Sequence, residues 1–296
     1  MIKYSIKDLE QLSGIKAHTI RIWEKRYQLF EPERTPTNIR YYSDEDLKKL
    51  LNVTILNRNG FKISNIVCMN NNEMNERIIE ISDSFQDFTN QVEQLTMAMI
   101  DFDEIRFERV LSTAVIKLGF DETVTKILYP FFERIGVLWQ IGTIYPAQEH
   151  FVSNLIRQKL IIAIDGQNGY IKDNPLTFLL FLPANEWHEL GLLFYNYLIR
   201  KAGHNVIYLG QSLPLEDLAE IKSKQSIDCL FTSFTTNISL KRYSETIGQI
   251  SQTFSENKIY VTGVQALEHD IKLPVNVEVI KQPKLFLEQV LSLQLG

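Results

Sequence analysis

The chain is poor in cysteine, with Cys68 and Cys229 the only two among 296 residues. They stand far apart in apolar runs with no C-x-x-C spacing, which argues against a disulfide framework or a structural zinc site and predicts two buried thiols. No apolar run reaches membrane-spanning length without a charge, and the start, Met1 to Asp8, has no apolar stretch behind a basic segment. The expectation is a cytoplasmic chain with no membrane partner. Internal repeats and low-complexity tracts are missing too, so a chain of this length is expected to fill two or three ordinary domains. An overall excess of positive charge is also absent: the formal net charge is -5, against a protein that coats nucleic acid along its whole length.

The charge that is there is unevenly spread. Residues 1–62 hold 12 Lys/Arg and 8 Asp/Glu, leaving 19 of the 31 cations against 28 of the 36 anions for the rest. Only the N-terminal part has a balance suited to phosphate. There the apolar positions Ile6, Leu9 and Leu12 follow a helical period, Ser13 and Gly14 break it, and a second helix is predicted from Ala17 to Tyr27. Residues 31–42 carry turn formers and then β-formers, which suits a short two-stranded wing. Ser43, with Asp46 three residues on, caps a third helix that Gly60 ends, and a short helix follows near Ile63 to Met69.

On the second helix His18, Thr19, Arg21, Lys25 and Arg26 are placed to reach base edges and phosphates, with Ile20, Ile22 and Trp23 left for the core. In the wing, Arg34, Arg40 and Tyr41 are candidates for the flanking backbone, where cations tighten binding without reading sequence. The stretches Tyr4 to Leu9, Ser13 to Ile15, His18 to Tyr27 and Ile39 to Asp46 closely resemble the MerR family of regulators, over residues 3 to about 68. The resemblance implies that the helix at Ala17 to Tyr27 enters the major groove, that Arg34 to Tyr42 is the wing, and that dimers bind pseudo-palindromic operator DNA.

Residues 70–84 are polar and Asn-rich and mark a boundary. Beyond them, helical patterns over 85–100, 103–118, 121–138 and 146–165, joined by short breaks, predict an antiparallel four-helix bundle. After Asp165 short apolar runs alternate with amphipathic stretches: Leu176 to Leu182, Val206 to Leu209, Cys229 to Phe234, Ile259 to Thr262 and Val277 to Ile280. That alternation requires a parallel sheet covered by helices, which binds ligands at the carboxyl ends of its strands. The expected fold is therefore multidomain: a winged helix-turn-helix over 1–70, a helical bundle over 80–168, and a Rossmann-like, flavodoxin-like sheet over 174–296.

Glu186 and His188 fall directly after the first of these strands, where a histidine can present an imidazole to a metal while Glu186 accepts its other ring N–H. Gly191 would let a flat group approach the backbone. Alone, such a histidine is more often an ordinary surface group. His188, Gly191, Ser233 and Gly263, however, are spaced as in the cobalamin-binding domains related to methionine synthase, whose motif runs D-x-H-x-x-G, S-x-L, G-G. The departures are Glu186 for Asp, Thr235 for Leu and Val264 for the second Gly. The resemblance implies that His188 is the lower ligand of cobalt and that Ser233 and Gly263 line the buried nucleotide tail.

In the bundle, Trp139 is followed after residues 140–148 by Glu149 and His150, similar to the W-x9-E-H signature of light-sensing, B12-dependent MerR-type repressors, the CarH and LitR group. There these residues surround the upper face of adenosylcobalamin. The best-known member has a histidine directly after the Trp that captures cobalt once light has broken the cobalt–carbon bond; here that position is Gln140. The resemblance thus implies a non-enzymatic repressor, a dimer or tetramer, that holds adenosylcobalamin between bundle and sheet domain. Two alternatives stay open. One is a MerR-type regulator whose sensor domain binds another ligand or partner, in keeping with Thr235 and Val264. The other is a corrinoid methyltransferase component, for which a recognition helix has no use.

Overall fold

A computed structural model of the chain describes residues 4–35, 38–70, 73–74, 76–78, 88–140, 144–167, 169, 171–268 and 271–292. It divides into two compact units, Met1–Val152 and Ser153–Gly296.

In the first unit, α1 (Ile6–Ser13) starts at a capping box in which Ser5 and Asp8 each accept from the other's backbone N–H, and stops at Gly14, whose φ of 70° only glycine adopts without strain. The next helix, α2 (Ala17–Tyr27), has no side-chain cap of its own at Lys16. Glu10, reaching across from α1, takes the Ala17 N–H at 3.0 Å instead. The wing is a pair of two-residue antiparallel strands, β1 (Glu33–Arg34) and β2 (Arg40–Tyr41), and Tyr4 bridges to Tyr42 beside it. Ser43 and Asp46 form a complete capping box for α3 (Asp44–Arg58). Leu9, Leu12, Ile20, Trp23, Leu47, Leu50 and Leu51 make the buried core of this module.

Three expectations change here. The helix near Ile63 is shorter than its pattern suggested: α4 covers Ile63–Ile66, and Cys68 falls in the turn behind it, exposed, donating its thiol to the Ser64 carbonyl. Ile22 is 52% exposed, because it lies on the same helical side as His18 and Lys25.

The helical region follows with α5 (Thr89–Asp101) and α6 (Glu104–Leu118). Next, α7 (Phe120–Thr123) runs through a single π turn (Val124–Leu128) into α8 (Tyr129–Gln140). The sequence pattern reads this stretch as one regular helix; Pro130 has no N–H to give the fourth residue before it and its ring crowds that carbonyl, which widens the preceding turn. Pro146 opens α9 (Pro146–Asp165), at the helical position where a missing N–H costs nothing.

The second unit is built on five strands: β3 (Thr177–Pro183), β4 (Asn205–Leu213), β5 (Cys229–Ser233), β6 (Lys258–Thr262) and β7 (Val277–Val279). All pair in parallel in the order β4-β3-β5-β6-β7, the flavodoxin-like order, with helices α10 (Glu189–Lys201), α11 (Asp217–Lys224), α12 (Leu240–Thr253), α13 (Val264–Glu268) and α14 (Pro283–Ser292) following successive strands. Alternation along the strands sorts the core. Leu179, Phe181 and Leu230 join Leu218 of α11 and Tyr243 and Ile247 of α12, whereas Phe231 and Tyr260 pack on Tyr195 of α10 and Phe286 of α14. Cys229 lies in this core, and burial pushes its thiol up to about 12. β4 extends past its apolar run to Leu213. Its partner β3 continues beside it, with register shifts after Leu180 and Phe181 and with Gly210 at a φ of 77°.

Candidate functional site

In a sheet of this order the connections leave β3 and β5 toward opposite faces, which opens a crevice at their carboxyl ends. The loops after those two strands meet there on one carboxylate. Glu186 is 4% exposed. Its Oε1 accepts from the His188 ring Nδ1 at 2.6 Å, the His188 N–H at 3.1 Å and the Thr236 hydroxyl at 3.0 Å. Oε2 takes the N–H groups of Thr235 and Thr236 at 2.6 and 2.7 Å. Burial pushes this carboxyl up, but the bonds from the His188 ring, the Thr236 and His188 N–H groups and the Thr235 N–H outweigh it and hold it at about 2. An ionised Glu186 accepts from Nδ1 and so turns Nε2 away from the carboxylate, on an imidazole whose side chain is 56% exposed.

Glu189, the next residue after His188, is buried between two partners. Arg157 of α9 lies 2.5 Å from its Oε2, and the Tyr208 hydroxyl of β4 donates to Oε1 at 2.9 Å. The first turn of α10 is anchored in this way. A Cβ on Gly191, in the same first turn, would meet nothing within 4 Å among the described residues outside its own stretch of helix, so that side of the turn is open. Ser233 and Gly263 are brought together at the ends of β5 and β6. Gly263 has φ 97°, and a Cβ on it would fall 2.4 Å from the Phe234 carbonyl and 2.7 Å from the Ser233 hydroxyl.

In the first unit, Trp139 stands in the last turn of α8 and is 42% exposed. Glu149, half-buried, and His150, exposed, lie in the first turn of α9. Gln148 beside them is buried and holds the start of that helix, donating to the Ile100 carbonyl at 3.2 Å and accepting the Tyr145 N–H at 3.0 Å.

On the N-terminal module, His18, Arg21, Lys25 and Arg26 are exposed along α2, Thr19 is half-buried, and Trp23 is buried beneath them. Arg34 is exposed on the wing and donates to Asn38 at 2.6 Å. Arg40 and Tyr41 are half-buried: the Arg40 guanidinium pairs with Glu24 of α2 at 3.0 Å, and the Tyr41 hydroxyl bonds Glu33. Glu24 also accepts from the Tyr42 hydroxyl at 3.0 Å, so one carboxylate of the second helix ties down the wing.

Several of these groups carry no local mark in the sequence. Thr236 has only its hydroxyl and its place just after β5 to announce it, Thr235 contributes its backbone, and Glu10 and Glu24 look like surface charges until the elements around them are folded.

Two family models match the chain: the MerR HTH family regulatory protein model over residues 4–69, and a B12 binding domain model over residues 91–163. Over 273 residues the chain is 28% identical to the HTH-type transcriptional repressor CarH of Myxococcus xanthus, covering 90% of each chain. Over 266 residues it is 25% identical to the repressor CarA of the same organism, covering 89% of this chain and 88% of that one. In structure it resembles the monomethylamine corrinoid protein of Methanosarcina barkeri, with a TM-score of 0.55 at 13% identity, covering 69% of this chain and 98% of that one. At that identity the likeness is one of fold.

Proposed function

We propose that this chain, which matches the MerR HTH and B12 binding domain models, is a transcriptional regulator in which adenosylcobalamin, ligated through His188, controls its assembly and its grip on operator DNA. The observation that carries this reading is the set of bonds converging on Glu186, which orients an exposed imidazole at the switch point of the sheet. The donor set fits a cobalt corrinoid: an imidazole whose Nδ1 is engaged by an ionised carboxylate, with open space at Gly191. Bound adenosylcobalamin supplies a cobalt–carbon bond that light breaks. In the same reading Trp139, Glu149 and His150 serve the adenosyl group, Ser233 and Gly263 serve the nucleotide tail, and the chain works as a cytoplasmic homo-oligomer, dimer or tetramer. His18, Thr19, Arg21, Lys25, Arg26, Arg34, Arg40 and Tyr41 are the proposed DNA contacts.

Such a ligand acts as a switch only through unequal affinity for two arrangements of the protein. The test is to incubate the protein with adenosylcobalamin in darkness, remove excess, and record the visible spectrum and the gel-filtration profile before and after green light. A retained cobalamin spectrum that His188→Ala loses, with an elution volume that shifts on illumination, is expected. No retained cofactor, or retention that His188→Ala leaves intact, would sink the ligand assignment; an elution volume indifferent to cofactor and light would sink the switch. Thr235 and Val264, which depart from the resembled motif, support a second reading in which the sensor domain takes a different ligand, and the same spectrum separates the two.

A further inference from the structure

The helix-turn-helix elbow is held by residues from outside the helix-turn-helix itself. The last carbonyls of any α-helix lack partners within the helix and carry its partial negative charge. In α1 the Gly14 N–H returns to the Glu10 carbonyl at 2.8 Å and the Ser13 hydroxyl to the Leu9 carbonyl at 2.6 Å; of the later carbonyls that no bond within the helix serves, two belong to Leu12 and Ser13. Two guanidinium groups take them. Arg58, at the end of α3, donates to the Ser13 carbonyl at 2.9 Å, and Arg134, on α8 of the helical region, donates to the Leu12 carbonyl.

Arg58 is paired in turn with Glu93 of α5, fully buried, whose Oε1 lies 3.0 Å from Nη1 of Arg58. Its field supports the charge on Arg134, which burial otherwise pushes down. Gly14 is part of the same fit: a Cβ there would stand 2.8 Å from Nη2 of Arg58. A further pair, Lys48 of α3 with Asp101 of α5, joins the same two helices nearer the start of α3. The turn so gripped spans only residues 14–16, and Glu10 of α1 also caps α2, so the direction of α2 follows that of α1. Arg134 shares its helix with Trp139, little more than one turn away.

We propose that Arg134 and Glu93 form an intramolecular ionic clamp by which helices α8 and α5 hold the α1–α2 elbow, so that the presentation of α2 to DNA depends on the position of α8. The clamp stands on the first unit's own contacts and holds whether cobalamin or another ligand occupies the sensor.

The experiment uses the full chain as wild type, Arg134→Gln, Arg134→Lys and, as a control on an exposed arginine, Arg109→Gln. Two quantities are read without any ligand: amide hydrogen exchange in peptides spanning residues 9–20, and affinity for a duplex selected by the wild-type chain from a random-sequence library. Arg134→Gln is expected to speed exchange at Gly14 and Ile15 about tenfold and to change duplex affinity by about three- to tenfold. Arg134→Lys, whose ammonium still donates to a carbonyl, is expected to retain most of the wild-type values, and Arg109→Gln all of them. Wild-type exchange and affinity in a folded Arg134→Gln protein would overturn the clamp, as would faster exchange spread evenly over both units. If Arg134→Gln does not fold, Glu93→Gln, of the same shape, is read by the same exchange experiment: fast exchange confined to the elbow supports the clamp and wild-type exchange overturns it.

Discussion

Nδ1 of His188 lies 2.6 Å from Oε1 of Glu186, while the other oxygen of that carboxylate takes two backbone N–H groups from the loop after the neighbouring strand. One buried carboxylate thus joins the ends of β3 and β5 and accepts from Nδ1 of His188.

Glu186→Ala therefore removes the orienting partner of the proposed ligand without touching the ligand itself. Affinity for hydroxocobalamin, titrated by visible absorption, is expected to fall about 10- to 100-fold, the usual cost of losing such a partner. Affinity equal to wild type would show that Glu186 does not orient the ring.

The same carboxylate gives the protein a defined acid sensitivity. Its folded pKa of about 2 lies below the value of about 4.3 expected of an unfolded glutamate, so it contributes stability that is fully present above the unfolded value. That contribution is lost as the pH falls from there toward about 2. Urea denaturation followed across this window should show a steep loss in wild type and a flatter one in Glu186→Gln.

Gly263→Ala places a Cβ against the Phe234 carbonyl in a backbone conformation that side chains rarely adopt. The substitution is expected to cost about 1–3 kcal/mol, read as a lower denaturation midpoint. Cofactor retention should fall with it, because Ser233 must shift. A midpoint equal to wild type would mean that the strand ends separate freely.

On the N-terminal module, the paired change Arg21→Ala, Arg26→Ala removes two exposed cations from α2. If both meet phosphates, binding weakens across all duplex sequences and the slope of log affinity against log salt falls by about 1.8, at about 0.9 for each contact. Unchanged affinity would remove both residues from the interface.

Glu24→Ala should act on the wing from a distance, since Arg40 and Tyr42 both lose their carboxylate partner. A loss of about 1–2 kcal/mol in stability is expected, because these are hydrogen bonds to a charged group at a half-buried site. Thermal melting measures it. A change confined to DNA affinity, with no shift in melting, would mean that the wing holds its place without Glu24.

Much of the architecture was legible before any coordinates. Ser5 with Asp8, Gly14, and Ser43 with Asp46 mark helix ends through chemistry that acts within a few residues, and all of them cap or stop helices as read. The runs around Leu179, Leu230 and Val261 mark fully buried strands for the same local reason. The pairing of Glu186 with His188 could also be anticipated, because two residues of one loop share a short reach.

What could not be read joins residues distant in the chain. Local pattern says nothing of which carbonyl Arg134 will meet, and the Leu12 carbonyl lies in a different element altogether. Thr236 reaches Glu186 only because β5 is placed beside β3, and Glu24 organises the wing only once α2 is docked. Even β4 outruns its own apolar run, because β3 is there to pair with it. The sequence by itself determined the elements, their order and the residue types offered to the site, all of which follow from periodicity and capping over a few neighbours. The tertiary structure alone decided which groups of the neighbouring loop hold Glu186 and which arginines hold the helix-turn-helix elbow, because a hydrogen bond depends on positions within a few tenths of an ångström that no local rule supplies.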